Sequence, residues 1–469
     1  MKKNILSCFL FLCTATLTLS AQEMQEQDAQ FIRKIYDEAL TNSNSYNWLE
    51  YLSLEIGARL AGSPEAAAAV EYTKQIMDTL NLDDVRLQEM MVPHWVRGDK
   101  EVVRIVNSSI GDVDFHVLAL GNSDGTGPEG LTAEVIEVHG VEELKELGRE
   151  AIEGKIVFYN RPMDGKHIHT FRAYGGAVDQ RVWGASAAAE YGAVATLVRS
   201  MSTSIDYVPH TGVQIYKEGV PRISATAIST KDAELLSDLL KREKVKIYIR
   251  STCRMLSEKL SYNVIGEIKG SEFPDEIILV GGHLDAWDVG HGSHDDGAGC
   301  MQSIDVLALL GQLDYQPKRT LRVVMFMNEE NGGRGAKKYW STSNEKGEYH
   351  MAAIESDAGA FSPRGFSCDA DKGVFDNHFA AVKRWESFFQ PYGVNIYKGG
   401  SGADIGAGKS QKGILFGLRP DSQRYFDLHH TAIDTFDKIN KRELELGTAA
   451  MTALVYLLDK YGLEGEKGR

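Results

Sequence analysis

The chain has 469 residues, of which 43% are hydrophobic and 25% charged, the proportions of an ordinary soluble globular protein too long for a single core. Its formal charge of −15 argues against nucleic acid or an anionic membrane surface as a partner. Beyond the N-terminus no stretch is apolar for long enough to span a membrane, so no membrane span is expected.

The chain opens "MKKNILSCFLFLCTATLTLSAQ", with two lysines before an apolar stretch from Ile5 to Leu12 and small, hydroxylated residues up to Ser20-Ala21. This is the pattern of a secretory leader over 1–21, and it implies an exported protein, periplasmic or extracellular. A lipid anchor on Cys13 would want a small residue where Leu12 stands. Past the leader only Cys253, Cys300 and Cys368 remain, an odd number at wide spacing that forms at most one bridge.

Residues 29–43 and 65–80 read as helices, separated by the Gly/Pro-marked loop "GARLAGSPEA". From about 123 the texture changes to short strands, "TAEVIEV", "KIVFYN", "AVATLVR" and "VKIYIR", with the alanine-rich "WGASAAAEYG" among them. After "SYNVIGEIKG" come strand "EIILVGGH", helix 297–311, strand "LRVVMFMN", helix 333–343, strand "HMAAIESD", helix 374–390, strand "GILFGL" and a last helix, 441–461. Apolar strands alternating with helices predict an α/β fold with a mostly parallel central sheet covered by helices on both faces. The simplest division is one α/β domain, 22–122 plus 252–469, interrupted by an inserted β-rich module, 123–251.

In such sheets ligands bind at the carboxyl ends of strands. Three apolar strands end in ionisable residues: His283 and Asp285, Glu329 and Glu330, Glu355 and Asp357. The stretch from His283 to Asp296 alone holds three histidines and four aspartates, and a further cluster, His429, His430 and Asp434, follows "GILFGL". Together they offer nitrogen and oxygen ligands that suit zinc, with more carboxylates than one ion can use. Adjacent strand residues point to opposite sides, so one of Glu329 and Glu330 can face metal while the other stands free for proton transfer.

The order His-x-Asp, Asp-Asp-x-Ala-Gly, Glu-Glu-x-Gly, Ser-Asp-Ala-Gly and His-Thr-x-x-Asp-Thr resembles the co-catalytic di-zinc exopeptidases, which include bacterial leucyl aminopeptidases and glutamate carboxypeptidase II. The resemblance spans nearly the whole chain past the leader. It implies two zinc ions, with His283 and Asp357 holding one, Glu330 and His430 the other, and Asp295 bridging. It makes Glu329 the general base and has the Asp285 side chain accept the second N–H of His283. It also implies a cis peptide between Asp295 and Asp296. The inserted stretch would be a protease-associated domain over the cleft, and a homodimer is allowed. His429 and Cys300 match no ligand position, and Asp296 reads as a capping acid.

The expected substrate is a dipeptide or other short peptide with free ends. Acids such as Asp404 or Glu355 could anchor its ammonium, and His210 in "YVPHTGVQIY" is a further candidate for substrate contact. A cation must hold the carboxylate: Arg172, Arg181, Arg419 and Arg424 could each supply it and the sequence does not choose among them, with Arg424, in the variable loop before the His429–His430 cluster, one candidate. A broad aminopeptidase and a catalytically silent binding homologue are the alternatives.

Overall fold

The structure, a computed structural model, describes residues 3–463, with side chains from Glu23 onward. The expected leader over 1–21 falls outside the residues with described side chains. The helices expected at 29–43 and 65–80 are the end of Lys3–Asn42 and the helix Pro64–Asp78. The second starts where its sequence dictates: Ser63 Oγ accepts the Ala66 N–H, and Pro64 takes the first helical position, where no N–H is needed. Among the described residues no helix is long and apolar enough to cross a membrane.

The first sheet has eight strands. In spatial order they are Asp84–Val96, Arg254–Ile268, Arg319–Phe326, Phe273–His283, Tyr349–Glu355, Ile414–Pro420, Pro363–Ala370 and Asn395–Lys398. The four central strands, from Arg319–Phe326 to Ile414–Pro420, are mutually parallel. Both flanks break the pattern. Asp84–Val96 and Arg254–Ile268 form a long antiparallel ribbon, and Pro363–Ala370 runs antiparallel to Ile414–Pro420. The sheet therefore has the parallel centre that the sequence predicted, with antiparallel pairings added on both flanks. The central strands were legible because they are apolar on both faces, whereas the ribbon strands Asp84–Val96 and Arg254–Ile268 are exposed or half-buried over much of their length and mix polar with apolar residues.

That two-sided burial follows the period of two. Ile278 and Val280 pack with Met301, Ile304 and Leu454 from helices Ala298–Gln312 and Lys441–Tyr461. Leu279, between them in the chain, packs on the other face with Tyr339 and Trp340 of helix Arg334–Lys346.

A second eight-stranded sheet is built between Val102 and Arg250. Its strands Ile156–Tyr159, Ala195–Arg199 and Ser224–Ile228 are parallel and wholly buried. Strands Val102–Ser108, Gly111–Asp114 and Val117–Ala119 belong to it too, ahead of the texture change at 123. The chain enters and leaves this unit at the ribbon, where Val96 and Arg254 are paired.

Candidate active site

All four central strands of the first sheet deliver ionisable groups to one rim. His283 ends its strand, Glu329 and Glu330 follow Phe326, Asp357 follows Glu355, and the segment after Pro420 leads to His430. Asp295 arrives from the turn before helix Ala298–Gln312. Its peptide to Asp296 is cis. These side chains line a cavity of about 220 Å³ that opens between the two sheets, with Phe171, Tyr174, Arg181 and Val213 of the second unit on the opposite wall.

Asp295 is the centre of the cluster. Its Oδ1 lies 3.2 Å from His283 Nε2 and its Oδ2 3.3 Å from His430 Nε2. Asp357 Oδ1 is 3.6 Å from the same nitrogen of His283, and Glu330 Oε2 is 3.1 Å from that of His430. The five residues expected to hold metal thus converge, with Asp295 between two histidine–carboxylate pairs. Two other groups also come within ligand distance of this set, Asp296 and His429. Both oxygens of Asp296 are already used: Oδ2 accepts the His283 N–H and Oδ1 the Gly299 N–H, each at 3.1 Å, which is the capping role expected of it. His429 lies flat against His430 with ring centroids 3.5 Å apart and forms part of the cavity wall.

Glu329 and Glu330 both reach the cavity. They lie beyond the end of their strand, in a turn, so the strand alternation used to separate them does not operate. What separates them is partnership: Glu330 faces His430, while no hydrogen bond or ion pair engages the Glu329 carboxylate among the described residues. Burial pushes Glu329 up to about 8, with Asp357 and Glu330 adding to the rise against His283.

Asp285 works differently from the expectation. The Nδ1–H of His283 is donated to the main-chain carbonyl of Asp285, at 2.9 Å, not to its carboxylate. The carboxylate instead accepts main-chain N–H groups of Asn328 at 2.6 Å, Glu329 at 2.9 Å and Glu330 at 3.3 Å. One residue therefore orients His283 through its backbone and holds the acidic turn through its side chain. The buried Asp434 carboxylate does the same for the neighbouring turn, accepting the N–H groups of His294 and Asp295.

The three residues expected to contact substrate are not on the cavity wall. Arg424 is exposed, just ahead of the short helix Tyr425–Leu428. Asp404 is buried behind Glu355, whose carboxylate ties the loop by accepting the N–H groups of Ala403 and Ile405, both at 2.9 Å. His210 lies behind His429, donating its Nδ1–H to the His429 carbonyl at 2.8 Å. The arginine that does line the cavity is Arg181, 4% exposed and stacked 5.5 Å from the Tyr174 ring. Nothing in its spacing singles it out among the four arginines. Only the path of the second unit brings it over the rim.

Residues 263–455 match Peptidase family M28. Carboxypeptidase Q of Bos taurus is 34% identical over 421 residues, which is 89% of this chain and 85% of that protein. Carboxypeptidase Q of Rattus norvegicus is 36% identical over 419 residues, again 89% and 85%. The chain belongs to peptidase family M28. This M28 peptidase is also similar to the crystal structure of a peptidase M28 precursor from Shewanella amazonensis, with a TM-score of 0.87 and 33% identity across 92% of this chain and 97% of that one. An aminopeptidase from Aneurinibacillus sp. shares the fold, with a TM-score of 0.60 and 21% identity across 90% and 96% of the two chains. The family resemblance carried by the motifs is borne out, and the chain is a metallopeptidase.

The residues of this M28 peptidase fit a metal. Among the described residues Glu330 Oε1 is buried without a hydrogen-bond partner, and Asp295 Oδ2 has only the ring nitrogens of His430 and His429 near it, at 3.3 and 3.7 Å, an arrangement that costs free energy unless a cation answers it. Burial works against charge on the two histidines, yet the surrounding carboxylates overcome it and hold His283 well above the usual histidine range and His430 at about 9. Nitrogen and carboxylate donors with no cysteine among them suit zinc.

Proposed function

We propose that this is an exported exopeptidase that uses two zinc ions to hydrolyse short peptides, dipeptides above all, with free amino and carboxyl ends. The observation that carries the reading is the placement of Asp295 between His283 and His430, each of which has a second carboxylate of its own. His283 and Asp357 would hold one ion, His430 and Glu330 the other, and Asp295 would be shared. Bound zinc would lower the pKa of water and polarise the scissile carbonyl. Glu329, whose carboxylate has no hydrogen bond or ion pair among the described residues, takes the proton from the attacking water and passes it to the leaving amine. The unit from Val102 to Arg250 would serve as the protease-associated wall that closes the cleft.

Arg181 supports recognition of a free carboxyl end. It is buried, its Nε has no hydrogen-bond partner, and among the described residues no carboxylate lies within ion-pair reach of it. A buried arginine without a counter-ion fits an anionic ligand, and its fork suits a carboxylate. The name of the curated relatives, carboxypeptidase, agrees with that choice.

The test compares one dipeptide with its N-acetylated and C-amidated forms, in the wild type and in Arg181→Met. Activity lost on both blocked forms, with a raised KM for the free dipeptide in Arg181→Met, supports the reading. Unimpaired cleavage of the amide makes the enzyme an aminopeptidase, and unimpaired cleavage of the acetylated form makes it a carboxypeptidase.

A further inference from the structure

His430 is held from the second unit. The Thr211 N–H donates to the His430 carbonyl at 3.0 Å, and His430 Nδ1 lies 3.3 Å from the Thr211 carbonyl. One residue earlier, His210 Nδ1 donates to the His429 carbonyl at 2.8 Å. The same two residues are anchored to their own unit: the His210 N–H donates to Ser200 Oγ at 2.9 Å, and Thr211 Oγ1 to the Ala119 carbonyl at 2.8 Å. Three bonds therefore join the His210–Thr211 dipeptide of the second unit to the His429–His430 peptide of the first.

The contact matters for two reasons. His430 has a φ of +63°, a left-handed backbone that a non-glycine residue keeps only where neighbours impose it. Its ring, moreover, has two nitrogens with competing uses. Nε2 points at Asp295 and Glu330 and can donate a lone pair only if Nδ1 carries the proton. The Thr211 carbonyl accepts that proton. The Arg181 guanidinium, 3.5 Å from Nδ1, is itself only a donor and would favour the opposite tautomer.

We infer that the His210–Thr211 loop is a positioning device for His430, with the Thr211 carbonyl selecting the tautomer and His210 holding the peptide that aims the ring. The second unit then builds the metal site as well as covering it. The inference rests on the proposed role of His430 as a metal ligand.

The experiment titrates metal-free protein with cobalt(II) and follows visible absorption and heat. It uses wild type, His210→Phe, which keeps a ring without the donor, and His210→Asn, whose amide can occupy the place of Nδ1–H. His210→Phe should bind one ion about 10–100-fold more weakly, with altered visible bands, and leave the other ion unchanged. His210→Asn should restore both. Wild-type affinity and spectrum in His210→Phe would overturn the inference, and so would an equal loss in His210→Asn, which would reduce His210 to packing. The two readings fail separately. A wild type holding a single ion refutes the two-metal proposal, and the positioning role then stands or falls on whether His210→Phe weakens that ion. A wild type holding none refutes both.

Discussion

Replacing Asp285 by asparagine should leave the fold nearly intact and cripple the enzyme. The carboxylate receives three main-chain N–H groups from the turn that carries Glu329 and Glu330. An asparagine can keep its oxygen toward Asn328 and Glu329, but its NH₂ then faces the Glu330 N–H, donor against donor. A hydrogen bond to a charged group contributes about 1.5–3 kcal/mol, so the loss of one amounts to about 2 kcal/mol. Against an unfolding entropy of roughly 2 cal/mol/K per residue, a chain of this length would lose only about 2 °C in Tm. The site is far less forgiving. Weakened support of metal ligands costs about 10–100-fold in affinity, and a misplacement of about 1 Å in reacting groups costs about 100-fold in rate. Dipeptide hydrolysis at saturating zinc should therefore fall about 100-fold, with a further loss when zinc is limiting, while differential scanning shows almost the wild-type transition. Activity within twofold of wild type would mean that the side chain of Asp285 does not hold the acidic turn in its working position.

Three further outcomes follow from the same geometry. Glu329→Gln should keep its metal, read by elemental analysis, and lose about 10²–10⁴ in kcat, whereas Glu330→Gln should lose an ion; the reverse pattern exchanges the two roles. Gly299→Ala should destabilise the start of helix Ala298–Gln312 and lower metal loading, because a Cβ there would sit 1.9 Å from the Ser356 carbonyl, a backbone atom with nowhere to go; normal loading and Tm in the variant would contradict that fit. Asp305 is pushed up to about 6, because burial outweighs the Ser43 hydroxyl and the N–H groups of Asn44 and Ser45 that favour its charge. The folded state then binds its proton more tightly than the unfolded state, so its contribution to stability is full below about pH 4 and lost as pH rises through about 6. Between these values Tm should fall less steeply in Asp305→Asn than in wild type, and parallel slopes would exclude the assignment.

The sequence showed the converging ionisable cluster because its members are tied to strand ends: His283, Glu330 and Asp357 sit at or just past apolar runs, and His430 follows a fourth by one loop. It could not show which atom of Asp285 meets His283, since both its carbonyl and its carboxylate are two residues away and only the turn geometry decides. The same limit applied to Glu329 and Glu330, whose separation by strand alternation failed one turn past the strand. Arg181 was invisible for a different reason. It reaches the cavity from the short helix Asp179–Val182 of the second unit, and no local pattern records how one unit sits over another. The flanking strands Pro363–Ala370 and Asn395–Lys398 went unread because neither has the apolar density of the centre, and the second is only four residues long.

The rung between Val96 and Arg254 also bears on the order in which the molecule can assemble. Contacts between residues so distant in sequence are slow to form, because the intervening chain must be closed into a loop first. Here the intervening chain contains a whole sheet with its own buried core. Once that sheet forms, its first and last strands, Val102–Ser108 and Lys246–Arg250, lie side by side and carry the two halves of the ribbon to within reach. During synthesis residues 102–250 emerge before any central strand of the first sheet, and domains fold as units as they emerge. The later arrival of Arg254–Ile268 then meets a partner already waiting. Folding in that order would make the second unit a template for the edge of the first sheet, well before either has a substrate to hold.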